Sequence, residues 1–306
     1  MSLINSRLPE RTLAWLPKGL GCDALRSPRA GEIHGHASGH LPPVSSLRRQ
    51  FCERLAGARV LLIGDSVQGQ FFTSLSHVIG FTSSVKETCV GKVSLPHRIV
   101  PRVMTVHACP DHAGVPQTRI RFVRSDFLRH DNSSQPWRTA WWSECEWGLA
   151  EVERSDVVIV SRGAHYVPDR LFVPELDATL SAIARIPKRT PSGRQRLVIF
   201  RGSHMPVPGC DPSLVPLAVP LTAAGLARSK RAAMYHWPYF AHQNELARCL
   251  ARNYGIIFLD VYFMMSFRQD AALSKMDCVH SCLPGPVDEW TRLLLAFLAA
   301  ALPPSR

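Results

Sequence analysis

The chain has 306 residues, of which 46% are hydrophobic and 20% charged, which is ordinary for a globular protein and excludes wholesale disorder or a fibrous architecture. The length accommodates one α/β domain without requiring a second. The formal net charge is +12, but only six of the 36 basic residues are lysines and the arginines form no basic block. Because no nucleic-acid-binding motif accompanies the charge, we predict no nucleic-acid partner.

Nine cysteines lack the paired C-x-x-C spacing of a zinc site, so we expect several disulfides in an oxidising compartment and one thiol left over. The first fifty residues show no signal peptide. No apolar run reaches the roughly 18 residues that cross a bilayer, so we predict no transmembrane segment.

Residues 1–50 are rich in proline, glycine and serine, which predicts an extended N-terminal arm before a domain at 51–306. Three histidines of this arm, His34, His36 and His40, stand close together. Since no carboxylate or cysteine at fixed spacing accompanies them, a metal site is not favoured there.

The domain proper begins with an apolar run at 58–63, typical of a parallel strand buried on both faces of its sheet. Gly64-Asp65-Ser66 ends the run. Large apolar residues then recur at helical spacing from Phe71 until Gly80 stops the pattern. The order is strand, tight turn and helix, with Ser66 where the helix begins.

Four more apolar runs of strand length follow, at 120–123, 157–160, 197–200 and 255–259. Candidate helices lie at about 171–186, 240–253 and 287–301. This alternation predicts an α/β fold with a mostly parallel sheet covered on both faces, that is, a three-layer α/β/α, flavodoxin-like single domain with loop insertions.

Two stretches fit the alternation less well: residues 82–118, and a segment that contains Trp137, Trp141 and Trp142. We predict insertions that border a ligand site, because ligands bind at loops on the carboxyl side of a parallel sheet. The tryptophans either stack on sugar rings or pack in a core or lid, and packing is favoured.

Two distant parts of the chain supply the components of a nucleophilic triad. Ser66 begins a helix, where backbone N–H groups and the helix dipole would stabilise an oxyanion. A serine needs a base, which His280 offers, and Asp277 would hold its ring. Neither Gly-Asp-Ser nor Asp-x-x-His alone is specific for a catalytic site. The two motifs together favour a triad, because one follows the first strand of the domain and the other precedes its last helix.

These residues also have interpretations without catalysis. Ser66 is a residue type favoured as a helix N-cap. His280 is a possible metal ligand together with Cys278 and Cys282. Those cysteines fit better in disulfides that brace the loop, so the triad remains the preferred interpretation.

The segment from Asp277 to Trp290 reads Asp-Cys-Val-His-Ser-Cys-Leu-Pro-Gly-Pro-Val-Asp-Glu-Trp. Together with Gly64-Asp65-Ser66 it resembles the PC-esterase group of the SGNH (GDSL-like) hydrolases, which includes the trichome birefringence-like polysaccharide O-acetyltransferases of plants. Further similar segments lie within 156–166, 200–210 and 237–270, so the likeness spans about residues 55 to 300.

The resemblance implies an SGNH-type fold in which Ser66 accepts the acyl group, His280 is the general base and Asp277 orients it. It also implies an oxyanion hole made by the Ser66 amide with groups near Gly163 and Arg201.

For His165 and His204, contact with substrate and a structural role stay equally open. Two positions depart from the group's pattern. Ser161 stands where relatives usually carry Asn, and Ala272 stands where a His is common. The first departure puts one oxyanion donor in doubt, while the triad itself is intact.

The function implied by the resemblance is serine-dependent O-acetyl transfer to polysaccharide or glycan hydroxyls by double displacement. A carbohydrate O-acetylesterase is the close alternative, and an inactive glycan-binding relative is the third. The expected partners are a glycan acceptor and an acetyl donor such as acetyl-CoA or an acetylated intermediate, with no tightly bound cofactor and no metal. The resemblance and the cysteines place the protein in the secretory pathway, in the Golgi lumen. The sequence does not specify an oligomeric state.

Overall fold

A computed structural model describes the chain at residues 32–33, 41–88, 102–110, 116–128, 145, 147–163, 165, 169–207, 215–222, 225, 234–274 and 277–303. Most of the predicted arm and the three tryptophans at 137, 141 and 142 lie outside these residues, as do the three histidines at 34, 36 and 40.

Eight strands in the described part of the chain form one sheet in the order β1-β8-β7-β6-β2-β5-β4-β3. In this spatial order, the six strands β1, β8, β7, β6, β2 and β5 are parallel to their neighbours. At the other end of the sheet, β4 pairs antiparallel with β5, and β3 pairs antiparallel with β4. The strands are β1 Glu32–Ile33, β2 Arg59–Gly64, β3 Phe81–Thr88, β4 Arg102–Ala108, β5 Thr118–Arg124, β6 Val157–Ser161, β7 Leu197–Arg201 and β8 Ile257–Leu259. A separate antiparallel pair consists of β9 Ala272–Ser274 and β10 Asp277–Ser281.

Helices cover both faces of this sheet. They are α1 Val44–Arg54, α2 Ser66–Ile79, α3 Leu149–Glu153, α4 Asp169–Ala184, α5 Phe240–Asn253 and α6 Pro286–Ala301, with short 3-10 turns at Met234–Tyr239, Phe263–Met265 and Gln269–Ala271. Apolar residues of α1, α2 and α6 pack on one face, and those of α3, α4 and α5 pack on the other. The fold is therefore a mostly parallel α/β sheet between two helical layers, as predicted.

Alternate residues of the strands serve the two cores. In β2, Val60 and Leu62 face α2 and α6, whereas Leu61 and Ile63 face the layer that contains α4. All four side chains are at most 1% exposed. This burial on both faces explains why the central strands consist of unbroken apolar runs. None of the described helices is long and apolar enough to span a membrane.

The predicted strands and helices correspond to β2, β5, β6, β7, β8, α2, α4, α5 and α6, and their ends move by a few residues. Residues 82–118 differ from the prediction. Within them β3 and β4 extend the sheet antiparallel. The exposed residues of β3, and the mixed polar and apolar residues of the mostly buried β4, do not produce the continuous apolar run of a central parallel strand. Helix α1 begins at Val44, so the last residues of the predicted extended arm are helical.

Candidate active site

Ser66 is the first residue of α2, directly after the turn that ends β2. Asp65 caps the helix, and its Oδ1 accepts from the N–H groups of Val67 at 3.0 Å and Gln68 at 3.2 Å. Among the described residues the Ser66 N–H has no hydrogen-bond partner. The half-buried Ser66 thus brings a hydroxyl and a backbone N–H to the positive end of the helix dipole, at the carboxyl edge of the sheet.

The turn before Ser66 requires glycine at position 64. A Cβ there would lie 2.8 Å from the Cβ of Gln68 and 3.1 Å from the carbonyl oxygen of Ser161. Because real Cβ atoms do not approach so closely, a side chain would push α2 away from β6. Gly64 therefore fixes the distance between the start of α2 and the neighbouring strand.

Asp65 is 3% exposed and remains anionic. Burial is the largest influence on its pKa and raises it, but nearby positive charges and a hydrogen bond outweigh burial and hold the pKa below its usual value. The groups responsible are Arg201, His165, Arg124 and the Gln68 N–H. The residue before Ser66 is thus a fixed negative charge in the core.

Asp277 and His280 form a hydrogen-bonded pair in β10. Oδ2 of Asp277 lies 2.7 Å from Nδ1 of His280, and Oδ1 accepts from the N–H groups of Val279 at 3.1 Å and His280 at 2.9 Å. Burial raises the pKa of Asp277, but the hydrogen bonds from His280 outweigh it and bring the pKa to about 2. Since an ionised carboxylate only accepts, Nδ1 carries the proton and Nε2 is the basic atom.

Gln70 docks this pair onto α2. It lies one helical turn after Ser66, and its Nε2 donates to the Ser281 carbonyl at 2.7 Å while its Oε1 accepts from the Ser281 N–H at 3.1 Å. Both backbone polar groups of the residue after His280 are therefore bound to the helix that Ser66 begins. This contact brings the three predicted triad residues to two adjoining elements, α2 and β10.

His204, a predicted substrate contact, supports the residue before His280. Its Nε2 lies 2.8 Å from the Val279 carbonyl oxygen, which can only accept, so Nε2 carries the proton and donates. The side chain is 2% exposed, and burial, followed by the charge of Arg201, lowers its pKa to about 4. His204 is neutral at physiological pH and buried, so its geometry supports a structural role rather than contact with substrate.

Arg201, a predicted oxyanion donor, lies beneath the site with 1% of its surface exposed. Its Nε donates to Gln68 Oε1 at 2.7 Å, and its two terminal nitrogens donate to the Gly202 carbonyl at 2.8 Å and to Ser161 Oγ at 2.6 Å. Burial lowers its pKa to about 10, which leaves it protonated, and the charge of Asp65 opposes that shift. Three of its five N–H groups thus donate to protein acceptors, and because the side chain is also buried, its geometry favours a structural role over an oxyanion contact. The same network holds the Ser161 side chain.

Gly163 follows β6 at the same edge of the sheet. A Cβ at this position would overlap the Ser203 hydroxyl, so only glycine fits. No described residue accepts a hydrogen bond from the Gly163 N–H, which leaves it a candidate oxyanion donor. His165 Nε2 lies 3.6 Å from Asp126 Oδ2, within ion-pair but not hydrogen-bond distance. Contact of His165 with substrate stays a prediction.

The two cysteines beside His280 differ in state. Cys278 is disulfide-bonded, as are Cys145 and Cys249. Cys282 is a free thiol whose backbone N–H donates to the Ala271 carbonyl at 3.0 Å. The prediction that both cysteines brace the loop through disulfides is therefore wrong for Cys282, which is held by its backbone.

The predicted start of the last helix is confirmed to within one residue. Asp288 forms a capping contact in which its Oδ2 accepts from the Gly285 N–H at 2.6 Å, and α6 begins at Pro286. Oδ1 of Asp288 also accepts from Ser74 of α2 at 2.5 Å. The helix after the His280 segment is thereby tied to the helix that carries Ser66.

Sequence reasoning missed three polar residues of α2 that organise the site, namely Gln68, Gln70 and Ser74. Gln68 is fully buried, where its Nε2 donates to the Ile159 carbonyl at 3.0 Å, and Ser74 is 1% exposed. The sequence contains a signal that could have identified these residues. Polar side chains recur on the faces of an otherwise apolar helix that pack against neighbouring elements, and buried polar groups need partners.

The alternative in which His280 ligates a metal gains no support. In the described ranges no group of three or more His, Cys, Asp or Glu side chains is placed to hold a metal ion. One partner in that alternative, Cys278, is taken by a disulfide.

A comparison with known protein families finds a match to the part of the chain that contains Asp277 and His280. Residues 227–297 match the family model PC-Esterase, the GDSL/SGNH-like acyl-esterase family found in Pmr5 and Cas1p. The match covers 71 of the 306 residues. It includes Asp277, His280 and the start of α6, and it confirms the predicted resemblance over those residues. Ser66 lies upstream of the PC-Esterase match, so its position in the site rests on the fold.

A solved structure of a peptidoglycan O-acetylesterase is also similar, with 14% identity, a TM-score of 0.42, and coverage of 84% of this chain and 94% of that one. No curated protein matches the chain.

Proposed function

We propose that the protein transfers an acetyl group to a polysaccharide or glycan hydroxyl through an acetyl-Ser66 intermediate. The observation that carries the proposal is the Asp277–His280 pair at 2.7 Å, docked by Gln70 onto the helix that Ser66 begins. The PC-Esterase match over this pair supports acyl-ester chemistry. A serine at a helix N-terminus beside an oriented imidazole is the arrangement that such chemistry requires.

In the first half-reaction Nε2 of His280 removes the proton of the Ser66 hydroxyl as the oxygen attacks the acetyl carbonyl carbon of the donor. The N–H groups of Ser66 and Gly163 stabilise the negative charge on the carbonyl oxygen. Asp277, anionic because its pKa is about 2, stabilises the imidazolium. The donor's leaving group then departs with the proton from His280, and acetyl-Ser66 remains.

In the second half-reaction Nε2 removes the proton of a sugar hydroxyl, whose oxygen attacks the acetyl carbonyl. The new ester forms, the bond to Ser66 Oγ breaks, and the serine regains the proton from His280. Water in place of the sugar gives hydrolysis, so how completely the bound acceptor excludes water decides between transferase and esterase.

The proposal is tested by trapping the intermediate. Incubation with an activated acetyl ester is expected to add one acetyl group to Ser66, detectable by mass spectrometry of peptides. Ser66→Ala is expected to lose the label and to lower ester turnover by roughly 10³-fold or more, because the nucleophile is absent. Ser83→Ala, on exposed strand β3, is the matched control and should keep full activity. Equal turnover by the Ser66→Ala and unmodified proteins contradicts the proposal.

An acetylesterase is the second candidate, favoured by the description of the matched family as acyl-esterases. The two activities separate when the acetylated enzyme meets xylan oligosaccharides. Acetylated sugar indicates transfer, whereas free acetate at a rate independent of the sugar indicates hydrolysis.

We also propose a secretory-pathway location such as the Golgi lumen. The Cys52–Cys109 disulfide and the bonded Cys145, Cys249 and Cys278 support it, because disulfides persist in oxidising compartments.

A further inference from the structure

A cavity of about 230 Å³ opens at the amino ends of β2 and β5, at the opposite edge of the sheet from Ser66. Four of its lining residues are arginines, and one is an acid. The polar lining consists of Arg59, Arg119, Arg121, Arg154, Glu151 and Ser155. The short helix α3 supplies Glu151 and ends beside Arg154.

The strand register forces two of these arginines together. Arg59 of β2 is the direct partner of Arg119 of β5, and Arg119 is in turn the partner of His107 on β4. Two arginines therefore lie opposite each other on neighbouring strands, with a histidine at the next strand. Like charges directly opposite in a sheet destabilise it, so this arrangement costs stability while no anion is present.

The nearby carboxylates do not pair with these two arginines. They form ion pairs with a third arginine, Arg121, whose Nε lies 2.5 Å from Glu151 Oε1 and whose Nη1 lies 3.6 Å from Glu87 Oε2. Within the part of the chain that the structure describes, the side chains of Arg59, Arg119 and Arg154 have no carboxylate within 4.0 Å, so three guanidinium groups around the cavity are unpaired.

A further acid, Asp156, lies at the start of β6 but is already engaged. Its Oδ2 accepts from the backbone N–H of Arg59 at 2.9 Å, and its Oδ1 accepts from Thr190 at 2.9 Å and Ser192 at 2.7 Å. These contacts brace the backbone beneath the cavity and occupy the Asp156 carboxylate, which makes no ion pair with the arginine side chains described around the cavity.

We propose that this cavity binds an oxyanion group, a phosphate or a carboxylate, carried by a sugar or another small molecule. Planar guanidinium groups pair with such oxygens through two parallel hydrogen bonds. The volume equals that of roughly eight water molecules, which suits one anionic group with part of its carrier rather than a whole large ligand. The site is separate from the proposed catalytic edge and does not depend on the proposed reaction.

The test is calorimetric titration of the unmodified protein at low salt with inorganic phosphate, glucose 6-phosphate, glucuronate and glucose. At least one of the anions is expected to bind and to lose affinity as salt is added, and glucose is expected not to bind. Tighter binding of glucose 6-phosphate than of glucuronate identifies phosphate as the group that the cavity binds, and tighter binding of glucuronate identifies carboxylate. Binding of glucose equal to that of the anions, or failure of all three anions to bind, overturns the proposal.

The variant Arg119→Gln is expected to weaken anion binding at least about tenfold, since it removes charge-assisted hydrogen bonds. Without ligand it should unfold at the same or a higher temperature at low salt, because the Arg59–Arg119 repulsion is gone. Arg49→Gln is the matched control: Arg49 is an exposed arginine of α1 that faces Glu53 at 4.0 Å. Equal loss of affinity in both variants, or unchanged affinity in Arg119→Gln, refutes the site.

Discussion

His204 links the stability of the protein to pH at the level of a single residue. Its ring is buried against Trp290, with ring centroids 5.1 Å apart, and its Nε2 donates to Val279. A charged imidazole here would face Arg201 in a desolvated site, so folding favours the neutral form. Asp65 and the Val279 carbonyl act in the opposite direction but do not prevail, and the pKa stays at about 4.

Because folding lowers the pKa of His204, the protein loses stability as the pH falls. Between pH 6.5 and about 4 the unfolded chain protonates at position 204 while the folded protein does not. The stabilisation is complete above pH 6.5 and is lost on acidification through this window, by about 3 kcal/mol of unfolding free energy. His204→Gln keeps a donor for Val279 but does not titrate, so its unfolding free energy should fall less over the same range.

Urea unfolding at several pH values measures this difference. His77→Gln, at an exposed histidine of α2, is the control and should follow the pH dependence of the unmodified protein. If His204→Gln follows it as well, His204 does not carry the linkage.

At the scale of elements, the contact between α2 and β10 decides whether the proposed nucleophile and base meet. Gln70 spans the gap with two hydrogen bonds to one residue, Ser281. Ser74 adds a second connection to the cap of α6 through Asp288. The segment that carries His280 is thus tied to α2 at two points, in addition to its strand pairing with β9.

Gln70→Met tests this positioning role, because it keeps the side-chain volume but removes both hydrogen bonds. We expect kcat for an activated acetyl ester to fall roughly 10- to 100-fold, because His280 shifts relative to Ser66, with a much smaller change in KM. The unfolding free energy should fall by about 1–3 kcal/mol, the value of two hydrogen bonds.

The control is Gln50→Met on α1, where the glutamine bonds, within the described part of the chain, to Ser46 of the same helix. A Gln70→Met protein that loses stability but keeps kcat would show that Gln70 has a purely structural role.

The sequence predicts those elements whose residues repeat a simple pattern. Apolar runs such as 60–63 identify the buried strands, and the spacing of Phe71 and Ile79 identifies α2, because burial on both faces or on one stripe leaves a regular trace. Strands β3 and β4 were missed, since β3 is an exposed edge strand and β4, although mostly buried, mixes polar with apolar residues. The triad residues were visible as motifs, whereas Gln70 and the roles of Arg201 and His204 depend on contacts between distant segments.

At the scale of the whole molecule, the Cys52–Cys109 disulfide joins the helical layer to the antiparallel end of the sheet. Cys52 lies in α1 and Cys109 directly after β4, 57 residues apart, and both are buried. The bond restricts the unfolded chain over that whole loop, which in the chain-entropy account corresponds to about 4 kcal/mol. Since α1 packs on α6, which follows the His280 segment, this bond stabilises the layer that supports the site.

Replacing both cysteines, Cys52→Ala with Cys109→Ala, should therefore lower the unfolding free energy by roughly 2–5 kcal/mol, measured by urea unfolding under non-reducing conditions. Cys282→Ala is the matched control, because it removes a thiol that closes no loop, and its effect should stay below ~1 kcal/mol. A double variant no less stable than Cys282→Ala would mean that the fold, rather than the cross-link, holds α1 against the sheet. Because neither cysteine belongs to the triad, the double variant should keep the acetyl-ester kcat of the unmodified protein wherever it remains folded.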